Sequence, residues 1–283
     1  MKVTLYESKF NLTALCLLVL IFCAFSFSED NVKSLPVTLN AEFGFLSVLD
    51  HKVQFGRKGT YLDYNETGGQ DILFPFSRFS ISSQFNRHLF WLIYQPLLLE
   101  TSDLLDRDLI IDSLIFPENT PVKFTYGFPF YRFSYAYDIT PPDGEWEIGL
   151  GASLQIRNAT ITFQSADGTL YRTNRNTGLV PALKAYVSYK MAVNFIVETE
   201  IDGIYAPVSY LNGDDNDVKG ALLDASIRAG YTPNDRYTLF LNLRYIGGGA
   251  EGQSDNYEPP SDGYVKNWLH FLTVGVRLEW KIF

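Results

Sequence analysis

Hydrophobic and polar positions alternate along most of the chain with a period of two. The clearest case puts Trp146, Ile148, Leu150, Ala152, Leu154 and Ile156 in one phase, with Glu147, Gly149, Gly151, Ser153, Gln155 and Arg157 in the other. Ala221, Leu223, Ala225, Ile227, Ala229 and Tyr231 alternate in the same way with Leu222, Asp224, Ser226, Arg228 and Gly230. Tyr237, Leu239, Leu241, Leu243 and Tyr245 face Thr238, Asn242 and Arg244, with Phe240 out of pattern. Val193, Phe195, Val197 and Ile201 oppose Asn194, Glu198, Glu200 and Asp202. Successive side chains of a strand point to opposite faces, so each segment reads as a strand with one apolar and one polar or small face. The stretch from Leu89 to Leu99 is apolar in both phases, and its inner face cannot be read. No stretch after residue 28 approaches the ~18 consecutive apolar residues of a membrane helix.

Ten such segments are predicted, near 37–49, 73–86, 88–100, 123–139, 146–158, 179–190, 193–206, 219–232, 236–248 and 265–283. Their links alternate in length. Asn86-Arg87, Pro141 to Glu145, Lys190 to Ala192 and Pro233 to Asp235 read as tight turns. Long links fall at 50–72, 101–122, 159–178, 207–218 and 249–264. The expectation is an all-β, antiparallel up-and-down barrel of about ten strands crossing a membrane, with short turns at one end and long loops at the other. A soluble barrel also alternates, but with its apolar face inward. Aromatic residues at the short-turn ends argue for the membrane: Phe85, Trp91, Tyr137, Trp146, Tyr189, Phe195, Tyr231, Tyr237 and Trp280. A lipid headgroup interface selects such rings, and a soluble rim does not.

The N-terminus sets the compartment. Lys2 and Lys9 precede an apolar run from Leu12 to Phe25, and Ser26 and Ser28 place small residues before Glu29. This is the layout of a secretory signal peptide over 1–28, leaving 29–283 as the barrel domain. Cys16 and Cys23 both lie in the signal, so neither disulfides nor thiolate metal sites are expected in the mature chain. Tyr and Phe number 18 and 22 against 2 Met and 2 Cys, a composition unlike that of an ordinary soluble enzyme. The net charge of -9 argues against a protein that tracks nucleic-acid phosphates.

With its signal, two-phase strands, alternating links and terminal Trp280-Lys281-Ile282-Phe283, the chain resembles the outer-membrane β-barrel proteins of Gram-negative bacteria. The resemblance implies an outer-membrane location with both termini in the periplasm. It also implies contact with outer-membrane lipid and lipopolysaccharide, insertion by the barrel-assembly machinery, and a monomer. The terminal aromatic departs from the family pattern, since Phe283 shares its phase with Lys281, Glu279 and Arg277.

The lumen phase collects charge of both signs: Arg132, Arg157, Glu198, Glu200, Asp202, Asp224, Arg228 and Arg244, with Glu42, Arg78, Asp138, Glu147, Lys184, Arg277, Glu279 and Lys281 in similar positions. A barrel of this size has a narrow interior, so these charges are expected to pair and largely plug it. The link at 101–122 carries Leu104, Leu105, Leu109, Ile110, Ile111, Leu114, Ile115 and Phe116, more apolar bulk than a solvated loop needs. Leu105, Ile110, Ile111, Phe116 and His270 are therefore the candidate rim and lid residues. Pro75, Pro96, Pro129, Pro181 and Pro207 fall in the loop-side half of the strands and predict incomplete pairing there.

Catalytic signatures are weak. His270 lies in the lipid-facing phase, as in outer-membrane lipid hydrolases, but Phe271 and Leu272 follow it where such a site has a serine two residues on. Omptin-like proteases share the strand count and acidic loops, yet no histidine neighbours Asp106, Asp108, Asp214, Asp215 or Asp217. Gly247, Gly249 and Gly252 match a G-x-G-x-x-G pattern that no helix follows. No catalytic residue, metal site or cofactor is assigned. The expected function is a structural, adhesion or solute- and lipid-interaction barrel, with a rim hydrolase acting on lipid or peptide as the alternative.

Overall fold

The computed structural model describes residues 36–141, 144–207, 218–253, 257 and 261–282. The expected signal segment, Phe283 and the acidic run at 214–217 lie outside the described residues. Strands form in chain order as β1 (Val37–Phe55), β2 (Leu62–Asp63), β3 (Leu73–Phe85), β4 (His88–Gln95) and β5 (Leu98–Leu104). β6 (Leu109–Ile111), β7 (Leu114–Phe116), β8 (Pro121–Gly127), β9 (Phe130–Asp138) and β10 (Trp146–Ser165) follow. The chain continues through β11 (Tyr171–Ala192), β12 (Phe195–Pro207), β13 (Lys219–Asn234), β14 (Tyr237–Gln253) and β15 (Tyr264–Lys281).

Pairing is antiparallel throughout, and β15 closes on β1. β4 with β5, and β8 with β9, each make one wall strand, so ten strands complete the barrel. Pro96 and Pro129 sit in the two breaks, where neither is asked to donate to the ladder. Phe128 N–H bonds Leu97 carbonyl at 2.7 Å across the gap and holds the broken strands in line.

The faces are inverted relative to a soluble barrel. Leu150, Leu154, Leu241, Val274, Val276 and Leu278 are exposed on the outside, while Arg132, Arg228 and Arg244 are buried within. So broad an apolar surface is stable only in hydrocarbon. On β15 the apolar band runs from Trp280 to His270, about 33 Å of strand at ~3.3 Å per residue. A ~40° tilt makes this about 25 Å vertically, the height of an outer-membrane barrel's lipid band. The molecule is a transmembrane barrel of the outer-membrane type.

Aromatic pairs ring the short-turn end. Trp146 stacks on Tyr189 with centroids 4.3 Å apart, Phe195 lies 5.3 Å from Tyr231, and Tyr237 lies 6.4 Å from Trp280. Trp91 is a correction. It points into the lumen, buried, 5.4 Å from Tyr186 and with Lys184 Nζ 4.8 Å from its ring. Leu89, Trp91, Ile93 and Gln95 are buried in one phase, which gives the inner face of the stretch that the sequence leaves unreadable.

Two links also need correction. Most of 159–178 is strand, because β10 and β11 continue pairing up to Gln164–Tyr171 as a tall hairpin. The threonine-rich residues there have strand propensity but little apolar contrast, so alternation does not mark them. Likewise 101–122 is only partly loop, since β5 and β8 pair from Leu98–Gly127 to Leu104–Pro121 and β6 and β7 form a small hairpin. Irregular pairing is not confined to the loop side. Besides the bulge at Val48/Asp50, shifts occur beside the tight turns at Lys190/Ala192 and Tyr231/Asn234.

Candidate functional site: a charged floor under an apolar cavity

The inward phases of β9 to β15 meet in mid-barrel. Arg244 donates to Asp224 through Nε and Nη2, both at 2.6 Å, and through Nη1 to Gln95 at 2.6 Å. Arg132 Nη1 reaches Asp224 at 2.6 Å and Asp202 at 3.0 Å, while its Nε and Nη2 bond Gln155 at 3.0 and 2.6 Å. Lys184 Nζ bridges Glu200 and Asp202, each at 3.2 Å. Arg228 donates to Glu198 and Glu200, both at 2.6 Å. Arg78 and Arg277 approach Glu200 at 3.8 and 3.7 Å. Glu42 accepts from Asn242 at 2.7 Å.

Among the described residues five buried carboxylates thus face six buried cations: Glu42, Glu198, Glu200, Asp202 and Asp224 against Arg78, Arg132, Lys184, Arg228, Arg244 and Arg277. Removing so many charges from water is tolerable only because nearly every one has opposite charges or amides in reach. Charge pattern alone does not reveal Gln95, Gln155 and Asn242, which complete the network as neutral partners. Phe240, out of pattern in the sequence, faces inward beneath Arg228 and Arg277, with centroid distances of 5.4 and 5.7 Å.

Seven of the eight expected network residues join this slab. Arg157 does not. It stands above it, 5.8 Å over the Phe128 ring, with a buried Nε that has no hydrogen-bond partner. Among the described residues no carboxylate pairs with its side chain.

Below the slab lies a polar vestibule of about 510 Å³ between Glu147, Lys190, Glu279 and Lys281. Above it lies a cavity of about 860 Å³. Arg132 and Gln155 form its floor, and Leu97, Tyr126, Phe128, Phe130, Leu269 and Phe271 form an apolar wall. Small residues at Gly178, Gly220, Gly248 and Gly249 leave its opposite side open.

The candidate lid residues separate. Leu105, Ile111 and Phe116 are buried in one apolar cluster with Phe55, Phe124 and Phe163, filling the barrel mouth beside the cavity. Ile110 is half-buried and tied through its N–H to Thr60 Oγ1 at 2.8 Å. His270 is remote from this cluster, on the outer face, with Nδ1 2.6 Å from Tyr245 hydroxyl. His51 neighbours it in the strand register, but the bulge after Val48 turns His51 inward. There it stacks on Tyr64 at 4.3 Å and its Nδ1 lies 2.6 Å from Gln70 Oε1. Neither histidine is hydrogen-bonded to a serine or aspartate, so the rim hydrolase finds no support. Among the described residues no cluster of three or more His, Cys, Asp and Glu is placed to hold a metal ion.

No family model matches the chain, and no curated protein matches it. Solved barrels align along most of its length at low identity. The transport unit of the autotransporter AIDA-I from Escherichia coli is 7% identical, over 95% of this chain and 97% of that one, with a TM-score of 0.40. A Pseudomonas aeruginosa FadL homologue is 8% identical over 89% and 91%, with a TM-score of 0.38. The Pseudomonas putida toluene transporter TodX is 11% identical over 91% and 92%, with a TM-score of 0.34. The barrel assignment rests on this chain's own strand pairing and inverted faces.

Proposed function

We propose that this protein is an outer-membrane barrel that binds an apolar or amphipathic small molecule in the loop-side half of its lumen and does not conduct ions. The observation that carries this reading is the 860 Å³ cavity with an aromatic wall, ending on a slab of paired charges. Its size suits a small-molecule site, for which ~300–1,000 Å³ is usual, as does an apolar lining with a few convergent polar groups. The slab lacks the one-signed ring of a selectivity filter, and its groups are committed to one another. In this reading the outer face meets lipid and lipopolysaccharide, the assembly machinery inserts the chain, and the barrel works as a monomer without catalysing a reaction.

The test pairs two measurements on refolded protein. Planar-bilayer recording should show no steady conductance, and N-phenyl-1-naphthylamine should bind with a fluorescence rise. Replacing the cavity-lining Leu222→Trp should reduce that binding at least tenfold without altering heat-modifiable mobility. Steady ion conductance, or probe binding indifferent to the substitution, would reject the reading.

A further inference from the structure

Among the described residues the barrel wall has two gaps in its pairing, and they are treated differently. β3 pairs β4 only from Phe85 up to Phe79, and β5 above it pairs β8 on one edge alone. That gap is filled by the chain itself. Gly68 N–H bonds Asp103 Oδ2 at 3.1 Å, and Thr101 hydroxyl bonds Gly68 carbonyl. Gly68 and Gly69 have φ of 142° and 65°, left-handed values that let the backbone turn into the wall.

The second gap lies between β11 and β12. Their ladder ends at Leu183–Gly203, although β11 continues upward along β10 to Tyr171 and β12 along β13 to Pro207. Pro181 stands just above the last pair and has no N–H to extend it. Among the described residues nothing pairs the β11 edge above Leu183. Leu183 and Tyr205, flanking the gap on the outer face, are 76% and 72% exposed, against 44% and 47% for Leu154 and Ile156. Those two face the same way but have a strand on either side. The cavity reaches this gap and passes through it, since its lining includes inward Arg132 and Phe130 together with outward Leu154, Ile156 and Leu179. Leu154 is eight residues above Trp146, about 20 Å in height at ~3.3 Å per residue and a ~40° tilt. The gap therefore opens within the lipid band, on its loop side. Unpaired backbone is costly against lipid and is tolerated where it lines a cavity.

Arg157 adds the second observation. It pairs with Gly178 in the register, on the β11 edge bordering the gap, and its side chain enters the cavity. Among the described residues it is the cavity cation without a carboxylate, whereas Arg132 beneath it is satisfied by Asp202, Asp224 and Gln155. A guanidinium held over an aromatic ring in an apolar cavity has unused donors for an anion. From these two observations we infer that the cavity takes a single-chain amphipathic anion from the membrane through the β11/β12 gap, with the charged group on Arg157 and the chain along Phe128, Phe130 and Phe271. This rests on the cavity being a binding site, and it adds the ligand's charge, the residue that reads it and the route of entry.

Dodecanoate and its neutral counterpart 1-dodecanol test the charge by titration calorimetry on the full barrel in detergent. Wild type should favour dodecanoate at least tenfold. Arg157→Gln should remove that preference and leave dodecanol binding unchanged, while Arg157→Lys should retain most of it. Equal binding of the two probes, or an equal loss of both in Arg157→Gln, would overturn the assignment of Arg157 while leaving the cavity as a site. Binding of neither probe would reject the cavity and the anion site together.

Entry is tested by transfer of dodecanoate from preloaded vesicles. The expected mature chain has no cysteine, so Ala182→Cys/Ile204→Cys, one step above the last ladder pair, can be bridged specifically with a short bis-maleimide. Bridging should slow uptake at least tenfold relative to the same variant unbridged. An unchanged rate would show that the ligand does not enter through this gap.

Discussion

From Arg132 down through the slab, the lumen holds guanidinium, ammonium and carboxylate groups. Above it, on the β1, β5 and β8 side, the filling is Phe55, Phe116, Phe124 and Phe163. The charged filling is directional. Asp224 serves Arg132 and Arg244 together only because β9, β13 and β14 hold a fixed register. Apolar filling has no such demand: it gains from contact and simply stops where no side chain reaches. This difference explains why the groups of the slab are committed to one another, while beside the apolar cluster a cavity of about 860 Å³ remains.

Three substitutions sharpen the contrast, each read by urea unfolding of the barrel in lipid vesicles. The largest loss is expected from Glu200→Leu, which deprives Lys184 and Arg228 of a close partner and weakens the hold on Arg78 and Arg277. Breaking a buried pair from one side costs ~3–5 kcal/mol. Val197→Leu, on the outer face of the same strand, is the control and should shift stability by less than ~0.5 kcal/mol. Equal tolerance at the two positions would mean that the inner and outer faces of β12 are wrongly assigned.

Phe124→Ala probes the upper filling. Phe124 is fully buried against Tyr64 and Phe163, with centroids 5.6 and 5.8 Å away. A loss of about 3 kcal/mol is expected, at the lower end for such a cavity because neighbouring rings can settle into the space. Its mark of distinction is that Phe124→Leu should recover most of the loss, whereas no apolar residue should rescue position 200. Failure of leucine to rescue would show that ring geometry, and not apolar volume, holds the mouth together.

The smallest effect is expected at Arg157. With no carboxylate to abandon among the described residues, Arg157→Gln should change stability by less than ~1 kcal/mol, in either direction. A loss as large as that of Glu200→Leu would place Arg157 in the structural network and remove the basis for reading it as a ligand contact.

Much of this was legible from residue order. Each side chain's face follows from its own strand's two-residue period, so the inward Glu198, Glu200, Asp202, Arg228 and Arg244 could be named without knowing a neighbour. The proline positions marked the broken half of the wall, and Trp146, Tyr189, Tyr237 and Trp280 marked the short-turn interface. Local contrast failed where both faces were apolar, as at Leu89 to Leu99, or where both were polar, as in the tall β10–β11 hairpin. It also misled at Trp91, because a ring near a strand end looks the same in sequence whether it faces lipid or lumen.

Alternation, turn chemistry and the aromatic residues at strand ends are short-range properties, and together they determined that this chain makes a barrel with charges inside and apolar residues outside. Partner choice is not short-range. Whether an inward arginine meets Asp224, as Arg132 does, or an aromatic ring with no carboxylate among the described residues, as Arg157 does, depends on strand register, on closure of β15 against β1, and on the level each side chain reaches. The two wall gaps could be told apart only in three dimensions, because one is filled by a segment about thirty residues distant in the chain from the strand it seals, and the other has no such filling among the described residues.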